Sequence, residues 1–458
     1  MNNEQTSVPE DRLSFFRKRG TILGLIVLFV LATVVQILVL QNNRHQIDSA
    51  LSLIQNQYRE GSADLLNGEY SLFLFGPDPP SDANVLAHPP GYSIFGAIFH
   101  FVFGRTADLR IAQILIMSLA PIVVWLIAIE LQEPVAAWLA AALTSLSPQL
   151  SYNAQLMLPD AIAALIILVA LYGFVIALNS ESMRAAALCA ILLGISCWFR
   201  ANGILIPAFF AAAVFLLYKK KSFRFAAIIL AVFLFVISPI TIRNYVGFRT
   251  VIPLSLGIGL NLVEGIGDFD KEGRFQAPST DKGVMDMEGA ALQCPDCSKT
   301  LYGANGVDRE RFRKQLALSV IWSDPLWFGG VLTSRALSFF RFERVPAISN
   351  QNETSTGIFY YLNIPLKFFQ KAFITAVFLP LLIGGVLVLL WNPSGRRKLA
   401  ILFLIPVYYV CVHSWIHTEY RYILAMQPCF IIISSIALSR MAGWLGGSVN
   451  HLRFARAK

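Results

Sequence analysis

Two aspartates stand where a carboxylate could act on a substrate. Asp48 lies in Gln-Ile-Asp-Ser-Ala-Leu, just after a long apolar run, and Asp160 lies in Met-Leu-Pro-Asp-Ala, just before another. An ionisable group at the edge of an apolar run is costly and usually serves a function. Two carboxylates on one cleft would suit a general base with a positioning group, or a divalent metal site. Taken singly, each aspartate is more simply explained as a helix N-cap.

Three arginines flank apolar runs in the same way. Arg200 follows Trp-Phe, Arg243 precedes Asn244, and Arg421 lies in Glu-Tyr-Arg-Tyr, where Glu419 opens the motif. The planar guanidinium fork matches phosphate geometry, which indicates recognition of an anionic head group. The alternative is that the arginines snorkel to the interface or pair with a carboxylate such as Glu419.

One histidine and two cysteines complete the candidates. His88 opens His-Pro-Pro-Gly-Tyr, which ends at Tyr92; Pro and Gly set a rigid turn there, and His88 could be a ligand or a hydrogen-bond donor. Cys294 and Cys297 form Cys-Pro-Asp-Cys. A short-loop disulfide, half a zinc site and a redox pair all fit this spacing. A structural disulfide is favoured, because no second cysteine pair or close histidine pair follows.

The composition indicates what kind of chain positions these residues. The chain has 458 residues, of which 56% are hydrophobic and 14% charged. Soluble domains carry about 25% charged residues, so a soluble enzyme, a disordered regulator and a coiled coil are excluded. The net charge of +9 comes from basic clusters between apolar runs, which is typical of membrane-protein loops and not of a nucleic-acid partner. No phosphate-binding glycine loop is present.

The apolar runs predict ten transmembrane helices. They lie near 21–40, 109–129, 135–146, 161–178, 185–198, 204–218, 225–242, 373–391, 399–412 and 422–438. With the N-terminus inside, the loops predicted inside carry the dense basic clusters, as the positive-inside rule requires. These are Arg184, then Lys219, Lys220, Lys221 and Arg224, then Arg396, Arg397 and Lys398, then Arg440, Arg453, Arg456 and Lys458.

The predicted organisation is an all-α polytopic membrane protein in five parts. They are a cytoplasmic tail (1–20), an N-terminal transmembrane module (21–242) with an outer loop at 41–106, a second outer segment (243–371), C-terminal transmembrane helices (372–440) and a basic cytoplasmic tail (441–458). Two short apolar stretches, 91–104 and 325–342, are predicted to be interfacial helices on the outer leaflet. That both cross the membrane is the alternative.

The order of the motifs resembles a known superfamily. It runs through Pro89-Pro90-Gly91-Tyr92, Phe103-Gly104, Leu146-Ser147-Pro148 with Asp160, Phe199-Arg200, Ile242-Arg243-Asn244-Tyr245, Pro253-Leu254-Ser255, Gly259-Leu260-Asn261-Leu262 and Glu419-Tyr420-Arg421-Tyr422. From about residue 20 to 440 the chain resembles the integral-membrane glycosyltransferases of the C superfamily. Within it the chain is similar to the dolichyl-phosphate-mannose–protein mannosyltransferase-like and aminoarabinose transferase-like enzymes.

The resemblance implies a polyprenyl-phosphate-linked sugar donor at the outer leaflet and transfer of its hexose or pentose to a glycolipid, polymer or protein on that side. It implies that Asp48 is the base and that Asp160 is the second acidic residue. Many relatives have two adjacent acidic residues in the first loop, whereas Ser49 follows Asp48 here. The resemblance leaves one possible cofactor undecided, a divalent metal ion.

The remaining candidates receive supporting roles in this scheme. Arg243, Arg421 and, third, Arg200 are predicted to bind the donor phosphate, because their charge would stabilise the leaving group. The residues predicted to support substrate binding are His88, Tyr92, Asn244, Glu419 and Tyr422. The expected location is a bacterial inner membrane in the cell envelope, with both termini cytoplasmic. A flippase or transporter of a lipid-linked sugar is the rival function, and a structural membrane subunit is a third.

Overall fold

The computed structural model describes residues 19–50, 52–69, 83–217, 222–343, 358–391, 393–417 and 419–456. Within these ranges every regular element is a helix, and the predicted all-α class is confirmed. A helix is the expected form of an apolar run in lipid, because it satisfies all its backbone hydrogen bonds internally. Most of the predicted N-terminal tail, residues 1–18, lies outside the described ranges.

The first half of the chain contains eleven helices between residues 19 and 248 in the part described. They are α1 (Arg19–Ser49), α2 (Ser52–Leu66), α3 (Gly91–Phe103), α4 (Leu109–Met117), α5 (Ala120–Glu130), α6 (Pro134–Leu146), α7 (Pro148–Asn153), α8 (Asp160–Ser180), α9 (Met183–Phe199), α10 (Ile206–Leu217) and α11 (Ser222–Phe248). Short 3-10 helices lie at Ala83–Leu86 and Ala201–Gly203.

The second half begins with short helices and ends with long ones. They are α12 (Ile258–Gly267), α13 (Asp281–Ala291), α14 (Gly306–Ser323), α15 (Pro325–Ser338), α16 (Ile358–Gln370), α17 (Thr375–Trp391), α18 (Pro393–His413) and α19 (Met426–Arg456), with 3-10 helices at Pro295–Ser298 and Lys371–Phe373. The largest apolar core joins α4–α6, α8–α11 and α17–α19.

Five helices of the described chain are long and apolar enough to cross a membrane. They cover Arg19–Arg44, Leu109–Glu130, Asp160–Ser180, Ser222–Phe248 and Met426–Trp444, where α4 and α5 together count as one span. Two bent helix pairs raise the number to seven if each is one span. All ten predicted spans coincide with helices, but α6, α9 and α10 are shorter than 18 residues. A multi-pass membrane protein is supported, and the count of ten stays a prediction.

Basic residues from distant loops meet at one end of the bundle. Glu133 pairs with Lys398 at 2.7 Å and with Arg440 at 3.1 Å. Arg397 donates to Asn179 Oδ1 at 3.4 Å. All these positions belong to segments predicted on the inner side. Asn179 lies at the end of α8, about 28 Å from its start at 1.5 Å per residue, so this end is opposite the one that contains Asp160.

The two predicted outer segments pack against each other. The backbone N–H of Leu256 donates to the carbonyl of Leu86 at 2.8 Å, and that of Ala83 donates to Gly303 at 2.9 Å. The second segment also has a small core of its own, formed by α12 to α15. The stretches predicted as interfacial helices form α3 and α15, and α15 is bent by 106° from α14. Their position on the outer leaflet stays a prediction.

The second outer segment contains a disulfide and a buried ion triad. Cys294 and Cys297 are bonded to each other, as predicted. The Glu288 carboxylate is fully buried and pairs with Arg309 at 2.6 Å and with Arg313 at 2.5 Å. Arg309 also donates to the carbonyl of Cys297 at 2.8 Å. Arg309 therefore holds the 3-10 turn against α14, and a structural role for the disulfide stays a prediction.

Candidate functional site

Asp160 forms a buried ion pair at the start of α8. It is the first helical residue, after Pro159, and it is 5% exposed. Its Oδ1 lies 3.1 Å from Arg200 Nε, at the end of α9. Neither carboxylate oxygen has a hydrogen-bond partner in the part of the chain that is described. Asp160 is not the N-cap, so the simple capping explanation is wrong, although the helix dipole favours its charge there.

Arg421 lies in the loop before α19 and has unused hydrogen-bonding capacity. It is 2% exposed, and its Nη2 donates to Glu419 Oε1 at 2.7 Å and to the Tyr422 hydroxyl at 3.2 Å. The predicted pairing with Glu419 is therefore present. Nε and Nη1 are buried and have no hydrogen-bond partner among the described residues. Buried donors are normally satisfied, so these two N–H groups are available to hydrogen-bond a ligand or a water.

The ring of Tyr422 brings the two arginines together. The guanidinium carbon of Arg200 lies 4.7 Å from the ring centroid, and that of Arg421 lies 5.0 Å from it. Both distances are in the range of a cation–π contact. Asp160 pairs with Arg200 and Glu419 pairs with Arg421, so the cluster contains two guanidinium groups and two carboxylates. We call these five residues the arginine cluster.

His88, Tyr58 and Tyr92 stack beside the arginine cluster. The Tyr58 ring stacks on His88 with centroids 4.8 Å apart and meets Tyr92 edge-on at 5.1 Å. Burial, together with the positive charges of Arg200 and Arg421, lowers the pKa of His88 to about 3. His88 is therefore a neutral hydrogen-bonding group at pH 7, paired with Gln57 Oε1 at 3.2 Å.

Asp48 forms a separate ion pair. It lies in the last turn of α1, so it cannot be an N-cap, and its side chain is 46% exposed. Its Oδ1 accepts a hydrogen bond from Arg110 Nη1 at 2.6 Å, and Arg44 lies 3.8 Å from its Oδ2. Arg110 also contacts Asp108 at 3.2 Å. Asp48 and Asp160 thus have different arginine partners.

Hydrogen bonds from Arg243 and Asn244 stabilise the turn that follows α11. Arg243 is buried and donates through Nε and Nη2 to Asn244 Oδ1 at 2.8 and 2.6 Å. Asn244 Nδ2 donates to the carbonyls of Ile252 and Leu254 at 2.8 and 3.1 Å. These contacts give both residues a role in the fold of the turn, and phosphate binding by Arg243 stays a prediction.

The two aspartates do not fit the first coordination shell of a divalent ion as they stand. Each carboxylate already contacts a guanidinium, and a cation would have to displace it. No group of three His, Cys, Asp or Glu side chains is placed to hold a metal in the described ranges. We therefore assign no step to a metal ion.

Sequence reasoning missed two residues of this region. Tyr58 lies on α2, a polar helix within the first outer loop, and it had no recognisable motif around it. Arg110 follows Asp108 at the start of a predicted span. An arginine at the edge of an apolar run was the signal used for Arg200 and Arg421, so the same rule could have found Arg110.

The comparisons with known proteins agree with the motif order. Residues 87–242, about a third of the chain, match the family model described as dolichyl-phosphate-mannose-protein mannosyltransferase. The resemblance to the integral-membrane glycosyltransferases of the C superfamily is confirmed. This segment contains His88, Tyr92, Arg110, Asp160 and Arg200. No curated protein matches the chain in sequence.

Solved structures show the fold over nearly the whole chain. One is the oligosaccharyltransferase AglB from Archaeoglobus fulgidus in complex with an inhibitory peptide and a dolichol-phosphate: 15% identity, 94% of this chain, 52% of that chain, TM-score 0.52. The apo form of the oligosaccharyltransferase from the same organism gives 16% identity, 96% and 52% coverage, and a TM-score of 0.53. This chain therefore spans about half of the length of those proteins.

A third similar structure is that of ArnT from Cupriavidus metallidurans bound to undecaprenyl phosphate. It is 17% identical over 91% of this chain and 78% of that chain, with a TM-score of 0.36. At these identities the archaeal matches establish the fold, and the activity has to be argued from the site.

Proposed function

We propose that this protein transfers a sugar from a polyprenyl-phosphate-linked donor to an acceptor on the outer, extracytoplasmic face of the membrane. The observation that carries the proposal is Arg421, which is buried with Nε and Nη1 free of hydrogen bonds to described residues. Phosphate oxygens are ligands that these two donors suit, because a hydrogen bond from a guanidinium to a charged oxygen is shorter and stronger than one between neutral groups. Arg200, across the Tyr422 ring, would contact the same phosphate group.

The arginine cluster would act on the leaving group. As the bond between the anomeric carbon and the phosphate oxygen breaks, the electron pair stays with the polyprenyl phosphate. Guanidinium groups placed before the reaction stabilise this developing charge and lower the barrier. Asp160 keeps Arg200 in place through the 3.1 Å ion pair, and Glu419 does the same for Arg421.

Asp48 is the carboxylate proposed to accept the acceptor's proton. It is half-exposed, so an acceptor hydroxyl can reach it, whereas Asp160 is buried against Arg200. The hydroxyl oxygen forms a bond to the anomeric carbon as its proton moves to Asp48. Direct displacement inverts the anomeric configuration. Arg110, which holds Asp48 Oδ1 at 2.6 Å, orients this carboxylate.

The rival function is a flippase or transporter of a lipid-linked sugar. It too would use the arginine cluster, but it would not break the bond between sugar and phosphate. The decisive experiment therefore measures chemistry at that bond. The purified protein in liposomes is given a panel of hexose and pentose polyprenyl phosphates together with a mixture of candidate acceptors, and release of free polyprenyl phosphate is followed.

We expect the wild-type protein to release polyprenyl phosphate from at least one donor. Asp48→Asn removes the proton acceptor and should lower kcat by about 10²–10⁴-fold. Arg421→Gln should lower it by about 10²–10³-fold through loss of charge stabilisation. Asp286→Asn and Arg311→Gln, two exposed positions on α13 and α14, are matched controls and should retain the wild-type rate.

One result would contradict the proposed transferase activity, and another would contradict the proposed role of Asp48. Lipid movement across the bilayer with no release from any donor would favour the flippase. Release that is unchanged in Asp48→Asn would exclude Asp48 as the base while leaving the transferase intact. Folding of each variant is checked by its thermal midpoint in detergent.

A further inference from the structure

A cavity lies between α2 and α3. Its volume is about 220 Å³, and it is open to one side. One face of α2 forms a wall, with Gln55, Tyr58, Arg59 and Ser62 at helical spacing. The opposite wall includes Tyr92, and Arg105 and Asp108 close one end. The arginine cluster does not line this cavity.

The cavity is tied to both parts of the proposed reaction. Asp108 at its end contacts Arg110, which in turn binds Asp48. Gln55 donates to the carbonyl of Ala50, two residues from Asp48, and its Oε1 accepts from the backbone N–H of Met157 at 3.1 Å. Tyr58 lines the cavity and also stacks on His88 beside the arginine cluster. The cavity is thus connected to the proposed base through Asp108 and Arg110.

The charges around the cavity are predominantly positive. Arg59 has no hydrogen bond or ion pair to another described residue. Arg105 donates to Asn67 Oδ1 at 3.0 Å, which is a neutral partner, so its charge is not neutralised. The one carboxylate on the wall, Asp108, accepts hydrogen bonds from the side chain and the backbone N–H of Arg110 at 3.2 and 3.0 Å.

We infer that this cavity binds the acceptor, and that the acceptor carries an anionic group, a carboxylate or a phosphate, close to the hydroxyl that is glycosylated. The inference rests on the proposed function, because the bound molecule is an acceptor only if the protein is a transferase. Arg59 and Arg105 bind the anionic group, and the linked hydroxyl faces Asp48. Arg59 is exposed and hydrated, so a neutral acceptor would gain no charge-assisted hydrogen bond from it. The anion therefore determines specificity, because a charge-assisted hydrogen bond contributes more than a neutral one.

The test compares two probes that differ only in charge. Binding of octyl β-glucuronide and of octyl β-glucoside is measured by equilibrium binding to the wild-type protein in nanodiscs, with octyl phosphate as a third probe that carries phosphate without a sugar. We expect the glucuronide to bind about tenfold more tightly than the glucoside, the ratio that one charge-assisted hydrogen bond supplies. The double variant Arg59→Gln, Arg105→Gln should bind both glycosides equally.

A matched control separates the cavity from the general charge of the surface. Arg311→Gln removes an exposed arginine on α14, and it should keep the tenfold preference. Equal binding of both glycosides to the wild type, or a preference that survives the double substitution, would overturn the inference. Binding of neither glycoside would overturn it as well. Tighter binding of octyl phosphate than of the glucuronide would support a phosphate-bearing acceptor.

Failure of this inference is distinguishable from failure of the proposed function. Binding of undecaprenyl phosphate is measured in the same nanodiscs, and it should depend on Arg421 and not on Arg59. If undecaprenyl phosphate binds but the glucuronide shows no preference, the donor site stands and the acceptor is neutral. If the preference is present but no donor is cleaved, the cavity is an anion site without the proposed transferase chemistry.

Discussion

His88 stacks on the Tyr58 ring near Arg200 and Arg421, and its ionisation is coupled to the stability of the site. Burial and the charges of Arg200 and Arg421 lower its pKa to about 3, whereas the imidazole in an unfolded chain titrates near its ordinary value of about 6.5. Between these values the unfolded chain binds more protons than the folded one. The contribution of His88 to stability therefore falls as the pH falls below about 6.5.

Replacement of His88 should remove this acid sensitivity. From pH 7 to pH 5 the histidine costs the wild-type fold about 2 kcal/mol, at about 1.4 kcal/mol for each pH unit below 6.5. The thermal midpoint, measured by intrinsic fluorescence in detergent, should thus fall less in His88→Asn than in wild type over this range. His88→Gln repeats the test with a longer amide. An equal fall in all three proteins would show that His88 is not held neutral.

At the residue scale, the sequence predicted which polar groups lie at the same end of the helices, but not which of them meet. Asp160, Arg200 and Arg421 each adjoin an apolar run on the same predicted side, so their grouping followed from counting spans. Asp48 satisfied the same criterion but pairs with Arg110. Lateral neighbours in a helix bundle depend on packing around each helix axis, and one sequence contains no direct record of that packing.

The approach of α3 to α9 connects the Pro-Pro-Gly-Tyr motif to the arginine cluster. A Cβ atom at Gly91 would lie 2.5 Å from the carbonyl oxygen of Trp198 and 2.7 Å from its carbonyl carbon. Both contacts are to backbone, so they cannot be relieved by a rotamer change. Arg200 follows two residues after Trp198, and Tyr92 follows Gly91. Glycine at this position therefore allows α3, which contains Tyr92, to lie close to the end of α9, which precedes Arg200.

Gly91→Ala should separate α3 from α9. Overpacking of this kind costs about 1–3 kcal/mol, and the displacement of Arg200 should lower donor binding as well as the thermal midpoint. Gly330→Ala is the matched control, because Gly330 lies in α15 with no heavy atom within 4 Å of an added Cβ. It should be neutral or slightly stabilising. A Gly91→Ala protein with wild-type stability and donor affinity would show that the close approach is not required.

At the element scale, hydrophobicity predicted the apolar helices but not the helix α2. All ten apolar runs are helical because lipid and core packing both favour apolar helices. α2 is polar on average and contains a stripe of residues that faces the cavity. Its amphipathic character is recognisable only when the surface it packs on is known. The lengths of α6, α9 and α10 likewise depend on the neighbouring helices.

The whole molecule has two chemically different ends. At one end Glu133 binds Lys398 and Arg440, and near it Arg397 contacts Asn179. At the other end are the arginine cluster, the cavity and both polar segments of the chain. The charge pattern alone predicts that these ends lie on opposite sides of the membrane. The contacts agree with this two-ended arrangement, because α8 has Asp160 at its start and Asn179 at its end.

The orientation of these ends in the membrane decides whether the site faces lipid-linked donors at the outer leaflet. Two exposed positions report on it: Lys271, after α12, and Arg184, near the start of α9. In a Cys411→Ser background, which removes the exposed free thiol, each is replaced by cysteine. A membrane-impermeant maleimide should label Lys271→Cys in intact cells. It should label Arg184→Cys only after permeabilisation, since the basic loops remain inside.

The reverse pattern would place the arginine cluster at the inner leaflet, and the proposed acceptor would then have to be cytoplasmic. Labelling of both cysteines in intact cells would contradict the two-ended arrangement itself. A third cysteine at Asp286, on α13, provides an independent position in the second outer segment and should behave like Lys271→Cys. Agreement between these two positions would establish that the segment around the disulfide lies in one compartment, on the side that an outer-face transfer reaction requires.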